Sequence, residues 1–190
     1  MEAVPEEDRN RKNRPKVGDT VKVFISWSGD KSLAVAEVLK SWLPSVLQAL
    51  DEVWLSDDDI RSGANWSATI GEKLSTTDFG IVCVTQHNQD RPWINFEAGA
   101  ISKLVGGAVP LLIDFPNKSD LNAGPMSQLQ VRTIDRTDIE RLIRDMNAKL
   151  DKPLASDVLK TSFSRAYGEL EDAPASDSQR RALRDRTRTT

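Results

Sequence analysis

The chain has 190 residues, of which 38% are hydrophobic and 29% are charged, with a formal net charge of -3. This length and composition predict one soluble globular domain with a substantial core and some polar sequence attached. The small net charge gives no reason to expect direct binding to nucleic acid. No apolar run reaches the roughly 20 residues that a membrane-spanning helix needs, so no membrane contact is expected.

The chain contains one cysteine, Cys83, and one histidine, His87. An intrachain disulfide is therefore excluded, and these two residues cannot make up a zinc site. The acidic run 57–59 lacks the ligand spacing of a calcium loop, so no metal is expected. Residues 1–8 lack the basic start and the apolar stretch of a secretion signal. The expectation is a cytoplasmic protein in which Cys83 is a buried thiol and His87 lies in a loop.

Both ends of the chain have almost nothing to bury. Residues 1–17 mix acidic, basic and proline residues, and residues 173–190 contain five arginines against two aspartates. We predict that both segments are disordered tails around a domain over 18–172. The basic tail is interpreted as solvated sequence, with a contact to a partner or nucleic acid as the alternative.

Between the tails, short β-branched runs alternate with longer amphipathic stretches. The first amphipathic stretch contains Pro44, which should bend or divide its helix. The run 79–85 is continuously apolar, as expected of a strand covered on both faces. The pattern predicts five strands, over 21–26, 53–55, 79–85, 108–114 and 131–134. It predicts helices over 31–50, 93–104, 126–129, 138–150 and 157–170, of which the one over 93–104 is opened by Pro92. A further helix is capped by Asn65 or Ser62 and ends near Ser75.

Strands that alternate with helices predict an α/β domain. The expected architecture is a flavodoxin-like, five-stranded parallel sheet in the order 2-1-3-4-5, with helices on both faces. Ligands bind such sheets beyond the carboxyl ends of the strands, where the strand order reverses. That point lies between the first and third strands, where Ser26, Trp27 and Ser28 meet the segment 86–92. Glu97 lies one turn inside the helix that follows, so its carboxylate is expected at this crevice.

Three spaced motifs resemble a known family. Residues 23–28 (VFISWS) resemble a strand that usually ends Phe-Ile-Ser-Tyr-Ser, with Trp27 in place of the tyrosine. Residues 59–66 (DIRSGANW) resemble the loop after the second strand, and residues 93–97 (WINFE) resemble the stretch that carries a catalytic glutamate. Together, over roughly residues 20–150, the chain looks like a Toll/interleukin-1 receptor (TIR) domain of the bacterial kind.

The resemblance implies one of two functions. Enzymatic TIR domains cleave NAD+ at the bond between nicotinamide and ribose, and release ADP-ribose or a cyclic isomer of it. NAD+ would then be the substrate, with no further cofactor, Glu97 would be the catalytic residue and Trp93 would help to form the nicotinamide pocket. Other members are scaffolds that act only through TIR–TIR interaction, and this alternative stays open.

The resemblance also implies assembly. Family enzymes work as oligomers in which the loop Asp57–Ala64 packs against a neighbour and completes the pocket. A separate activating or effector protein is a further expected partner. The bacterial character of the motifs implies a role in antiphage immune signalling.

The remaining candidate residues are assigned to substrate binding, each with a structural alternative. Trp27 offers an aromatic surface for the pyridinium or adenine, and its structural alternative is packing into the core. Core packing is the structural alternative for Trp93 as well. Ser26 and Ser28 are polar contacts at the strand end. Gly63 lets the ligand approach the backbone or supplies a plain turn. Arg61 meets the diphosphate or a neighbouring subunit, or is a solvated surface residue.

The sequence argues against two other enzyme classes. Nucleoside deoxyribosyltransferases have related parallel sheets and use a carboxylate on an N-glycosidic bond, but the motif around Ile60 and Trp66 argues against them. A classical dinucleotide-binding enzyme is disfavoured, because no Gly-x-Gly-x-x-Gly follows the first strand.

Overall fold

The computed structural model describes residues 21–56, 73–92, 94–95, 98–99 and 108–171. The two predicted tails and the loop Asp57–Ala64 lie outside the described residues. The strands and helices are β1 (Val21–Ser26), α1 (Asp30–Val46), β2 (Leu50–Leu55), β3 (Phe79–Val84), β4 (Ala108–Leu112), β5 (Arg132–Thr133), α2 (Arg136–Asn147) and α3 (Ser156–Glu171). Residues 73–75 and the described part of 92–99 are also helical.

The five strands form one sheet in the order β2-β1-β3-β4-β5, and every neighbouring pair is parallel. The predicted flavodoxin-like architecture is therefore confirmed. β3 lies at the centre, and all six of its residues are buried. β2 is added on one side of β1, whereas β3, β4 and β5 follow on the other side. The strand order therefore reverses between β1 and β3.

Alternating side chains of the strands build one apolar cluster on each face of the sheet. On one face, Val23 and Ile25 of β1 pack with α1, α2 and α3. On the other face, Phe24 of β1 packs with Leu74 and with Ile94 and Ala98 of the helix that begins at Pro92. Leu74 is fully buried, one residue before the point near Ser75 where the sequence predicts that its helix ends.

Helix α3 is attached to the domain through Trp42 of α1. The Trp42 ring is fully buried, and its Nε1 donates a hydrogen bond to the carbonyl oxygen of Ala166 at 2.7 Å. Phe163 meets the same ring edge-on, with the ring centroids 6.1 Å apart. The predicted domain therefore includes α3 in its main core, beyond the last strand.

The helix bounds differ from the prediction at α1. The sequence predicts either a bend or a division at Pro44. The helix is continuous through Pro44 and ends at Val46, so the division is wrong. Pro44 is tolerated because it is exposed in the last turn, close to the point where the helix ends. Leu50, predicted as the end of this helix, instead begins β2, where it pairs with Val21.

The segment between β4 and β5 also differs in detail. Two 3-10 helices, Lys118–Asp120 and Pro125–Gln128, occupy it, and only the second was predicted as a helix. β5 is shorter than the predicted 131–134, because only two of its residues pair with β4. In the part of the chain that the structure describes, no helix is both long and apolar enough to cross a membrane.

Candidate functional site

The carboxyl ends of β1 and β3 lie side by side at the reversal of strand order, and we call the edge between the two segments that leave them the crevice. The loop 27–29 leaves β1 on one side, and the turn 86–90 leaves β3 on the other and leads into the helix at Pro92. In open parallel sheets this is the position where ligands bind. The crevice is therefore the candidate functional site.

Ser28 is held in this crevice by hydrogen bonds on both sides. It is 3% exposed, its backbone N–H donates to Ser32 Oγ at 2.9 Å, and the Ser32 hydroxyl donates back to Ser28 O at 2.7 Å. From β3, Asn88 Nδ2 donates to the same Ser28 carbonyl at 3.0 Å. The β1 loop is thus anchored both to the first turn of α1 and to the end of β3.

Asn88 is the polar centre of the crevice. It is 1% exposed, and its Nδ2 also donates to the carbonyl of Cys83 at 3.1 Å. Its Oδ1 accepts the backbone N–H of Thr85 at 2.8 Å. One buried amide side chain therefore satisfies three backbone groups that the strand ends would leave unpaired.

Asp114 connects three parts of the same edge beyond β4. Its carboxylate accepts from Lys31 Nζ of α1 at 2.9 Å and from the backbone N–H of Gln86 at 2.9 Å. The Gln86 side chain donates to the Asp114 carbonyl at 2.6 Å. These contacts hold α1, the turn after β3 and the end of β4 in one arrangement.

Trp27 is half-buried and packs against the core cluster that contains α1. Its backbone N–H donates to Ser56 Oγ at 3.1 Å, whereas its indole Nε1 is buried and has no hydrogen-bond partner in the described part of the chain. A buried donor without an acceptor is costly, so this N–H is a candidate contact for a ligand oxygen. Packing against the core cluster accounts for most of the burial of the Trp27 ring, in agreement with the structural alternative given for this residue.

The predicted site residues fall into two groups. Ser26, Trp27 and Ser28 lie together at the end of β1, and Ser26 is fully buried. The other predicted site residues lie outside the described residues: Arg61, Gly63, Trp93 and Glu97.

The predictions for Cys83 and His87 are confirmed. Cys83 is fully buried, and burial raises the pKa of its thiol to about 12. His87 is exposed in the turn after β3. Trp54 is half-buried against the second core cluster, with the Lys73 ammonium over its ring. Trp66, from the motif around Ile60, lies outside the described residues.

The sequence did not single out Asn88, Arg91 or Asp114. Asn88 and Arg91 lie between the end of a strand and the proline that opens a helix, and Asp114 ends an apolar run, positions typical of residues at a sheet edge. Their partners, Ser28 and Lys31, are distant in sequence, which no local pattern reveals.

A groove of about 600 Å³ lies between α2 and α3, away from the carboxyl ends of β1 and β3. Its apolar lining includes Ile143, Leu159 and Phe163. The charges on its α2 side, Glu140 and Arg144, pair with each other at 2.6 Å. Lys160 of α3 also lines the groove. We place the candidate site at the strand ends and not in this groove, because open parallel sheets bind ligands at the strand ends.

The strand order and the crevice between β1 and β3 define a doubly wound α/β domain of the flavodoxin-like class. A family model described as the TIR domain matches residues 23–149, about two thirds of the chain. The chain therefore belongs to the TIR domain family.

Two further comparisons were made. No curated protein matches the chain. Among solved structures, the chain is similar to the TIR domains of the activated Roq1 resistosome, which is described as directly recognising the pathogen effector XopQ. The identity is 14%, the match covers 78% of this chain and 84% of that chain, and the TM-score is 0.40.

Proposed function

We propose that the protein is an NAD+ glycohydrolase or cyclase that cleaves the nicotinamide–ribose bond, with Glu97 as the catalytic residue. The observation that carries the proposal is the family match over residues 23–149, which includes the motif 93–97. The helix that begins at Pro92 directly follows the crevice between β1 and β3, which is where this class of fold binds ligands.

The chemistry requires few residues. Glycosidases usually use two carboxylates, one of which protonates the leaving group. When the C1′–N bond breaks, the cationic pyridinium ring keeps both bonding electrons and leaves the ribose as neutral nicotinamide, so no acid is needed to protonate it. The Glu97 carboxylate would stabilise the developing oxocarbenium charge and orient the ribose hydroxyls.

The fate of the ribosyl cation decides the product. Attack by water places a hydroxyl on C1′ and releases a proton, which gives ADP-ribose. Attack by a nitrogen of the adenine closes the molecule into a cyclic isomer. Exclusion of water from the pocket favours the second outcome.

The proposal extends to assembly and location. We propose that the protein works in the cytoplasm as a homo-oligomer, with the loop Asp57–Ala64 packing against a neighbour, and that a separate protein activates it. Arg61, Gly63 and Trp93 would complete the pocket beside Trp27, Ser26 and Ser28. Antiphage immune signalling is the proposed biological role.

Nicotinamide release by the purified protein tests the catalytic proposal. Protein at low and high concentration is incubated with NAD+, and the wild type is compared with Glu97→Gln and with Glu169→Gln. Glu169 is an exposed residue of α3, so the second variant makes the same change outside the crevice. We expect Glu97→Gln to lower the rate by about 100-fold or more and Glu169→Gln to leave it unchanged.

The same experiment separates the enzyme from the scaffold. If the wild type releases no nicotinamide at any concentration, or if Glu97→Gln retains the full rate, the enzyme proposal fails. The non-catalytic adaptor, acting by TIR–TIR interaction, would then be the better interpretation. Mass spectrometry of the product distinguishes ADP-ribose from a cyclic isomer.

A further inference from the structure

Two basic side chains lie at the crevice between β1 and β3, and they differ in their partners. Lys31 pairs with the carboxylate of Asp114 at 2.9 Å, so its charge is compensated. Arg91 donates from Nη1 to the hydroxyl oxygen of Ser28 at 3.3 Å, and within the described residues it has no carboxylate partner. Of these two basic side chains, Arg91 is therefore the one without a carboxylate partner among the described residues.

The carboxylate next to Arg91 in sequence is engaged elsewhere. Both oxygens of Asp90 accept from Asn122 Nδ2, at 3.0 and 2.8 Å, which directs them to the segment between β4 and β5. Asp90 is thus held by an amide from another loop, and no ion pair joins it to Arg91 in the described chain. The positive charge remains available to an external anion.

The position of Arg91 is fixed by its surroundings. Its backbone N–H donates to the Asn88 carbonyl at 2.9 Å, and its carbonyl accepts from the backbone N–H of Asn95 at 3.3 Å, in the first turn of the helix that follows. Its side chain is held by Ser28, which is itself buried and anchored. An arginine side chain has five N–H donors, and most of those of Arg91 remain for a ligand.

From these contacts we propose that Arg91 binds the diphosphate group of a nucleoside diphosphate ligand at the β1–β3 crevice. The inference rests on the proposed function, in which the ligand is NAD+, and it names a diphosphate contact other than Arg61. A guanidinium binds phosphate oxygens with two parallel hydrogen bonds. Ser28 would act as the positioning residue that presents the guanidinium.

Binding of ADP and of adenosine tests this proposal without turnover. Isothermal titration calorimetry on the full chain compares the wild type with Arg91→Gln, Arg91→Lys and Arg165→Gln. Arg165 is exposed on α3, so its variant removes one positive charge outside the crevice. We expect Arg91→Gln to weaken ADP binding by about tenfold or more and to leave adenosine binding unchanged.

The other variants sharpen the result. Arg91→Lys keeps the charge without the paired donors, so it should recover part of the ADP affinity, and Arg165→Gln should bind as the wild type does. Equal ADP affinity in Arg91→Gln and the wild type would overturn the proposal. So would an equal loss of ADP and adenosine binding, because that pattern indicates a structural role.

Kinetics separate this inference from the proposed function. If the wild type releases nicotinamide, Arg91→Gln should raise KM for NAD+ by about tenfold with little change in kcat, because the lost contact serves ground state and transition state alike. If no variant releases nicotinamide, the catalytic proposal fails, while the ADP titration still decides the role of Arg91.

Discussion

At the residue scale, the crevice depends on a buried neutral amide. Asn88 donates to two carbonyls that belong to different segments, Ser28 after β1 and Cys83 in β3. Neither a carboxylate nor a hydroxyl can replace it, because Nδ2 must donate twice while Oδ1 accepts from Thr85. Together with the Ser32 hydroxyl, this side chain fixes the geometry of the Ser28 loop, and with it the position of Arg91.

Asn88→Asp tests this dependence with almost no change of shape. The new carboxylate oxygen would face two carbonyl oxygens in a buried position, so we expect a loss of about 2–4 kcal/mol in the free energy of unfolding at pH 7. Urea denaturation followed by circular dichroism measures it. The matched control is Asn122→Asp at an exposed position, for which a loss below about 1 kcal/mol is expected. Equal losses in the two variants would contradict the assigned role of Asn88.

At the element scale, Asp138 connects the start of α2 to β5 and to the segment between β4 and β5. Its buried carboxylate accepts from the backbone N–H and the hydroxyl of Thr133, at 2.9 and 3.0 Å. It also pairs with Lys118 and, at 3.3 Å, with Arg141. The start of the helix is capped separately by Asp135, which accepts from the backbone N–H groups of Thr137 and Asp138. Three elements therefore share one carboxylate.

This arrangement predicts a dependence of stability on pH. Burial by itself raises the pKa of the Asp138 carboxyl, but hydrogen bonds from Lys118 and Thr133 and the charge of Lys118 outweigh it and hold the pKa below its ordinary value. The ionised form therefore stabilises the fold above the ordinary aspartate pKa of about 4, and the contribution is lost as the pH falls through the lowered value.

The variant Asp138→Asn makes this dependence measurable. We expect it to lose about 1–3 kcal/mol of unfolding free energy at pH 7, and its difference from the wild type to shrink below about pH 4. Urea denaturation across that pH range provides the measurement, and Asp151→Asn, at an exposed position, is the control. A difference between Asp138→Asn and the wild type that stays constant with pH would argue against the coupling.

At the scale of the whole molecule, the two apolar clusters meet across β3, where Cys83 is fully buried between β1 and β4. Burial raises the pKa of its thiol to about 12, so almost no thiolate exists at neutral pH. Because it is the single cysteine of the chain, its reactivity reports on the opening of the central sheet.

Alkylation of Cys83 near pH 8 gives the corresponding prediction. We expect the native protein to react more slowly than the urea-unfolded chain by roughly a hundredfold or more, since the thiolate is the reactive form and the native sulfur is inaccessible. Mass spectrometry of iodoacetamide-treated protein follows the reaction. Asn88→Asp should speed labelling about tenfold for each 1.4 kcal/mol of stability that it loses, up to the rate of the unfolded chain. Labelling of the native wild type at the unfolded rate would show that β3 is not the closed centre of the fold.

The sequence by itself determined the class of fold, because β-branched runs, helical spacing and a proline that opens a helix act over a few residues. The strand order follows from that class, since 2-1-3-4-5 is a common order of such sheets, and the structure confirms it. The position of a site at the strand ends stays a prediction from the same class. Local patterns also misplaced the end of α1, because Leu50 joins β2 through pairing with β1, and that contact lies outside any helical window.

Only the tertiary structure decided which side chains form the crevice. The hydrogen bonds of Ser28 with Asn88 and with Arg91 join residues 60 and 63 positions apart, and Lys31 meets Asp114 across 83 positions. Such pairs leave no periodic trace, because each depends on where two strands end in space. Within the described residues, the charge of Arg91 is uncompensated because Asp90 binds Asn122 and Asp114 binds Lys31.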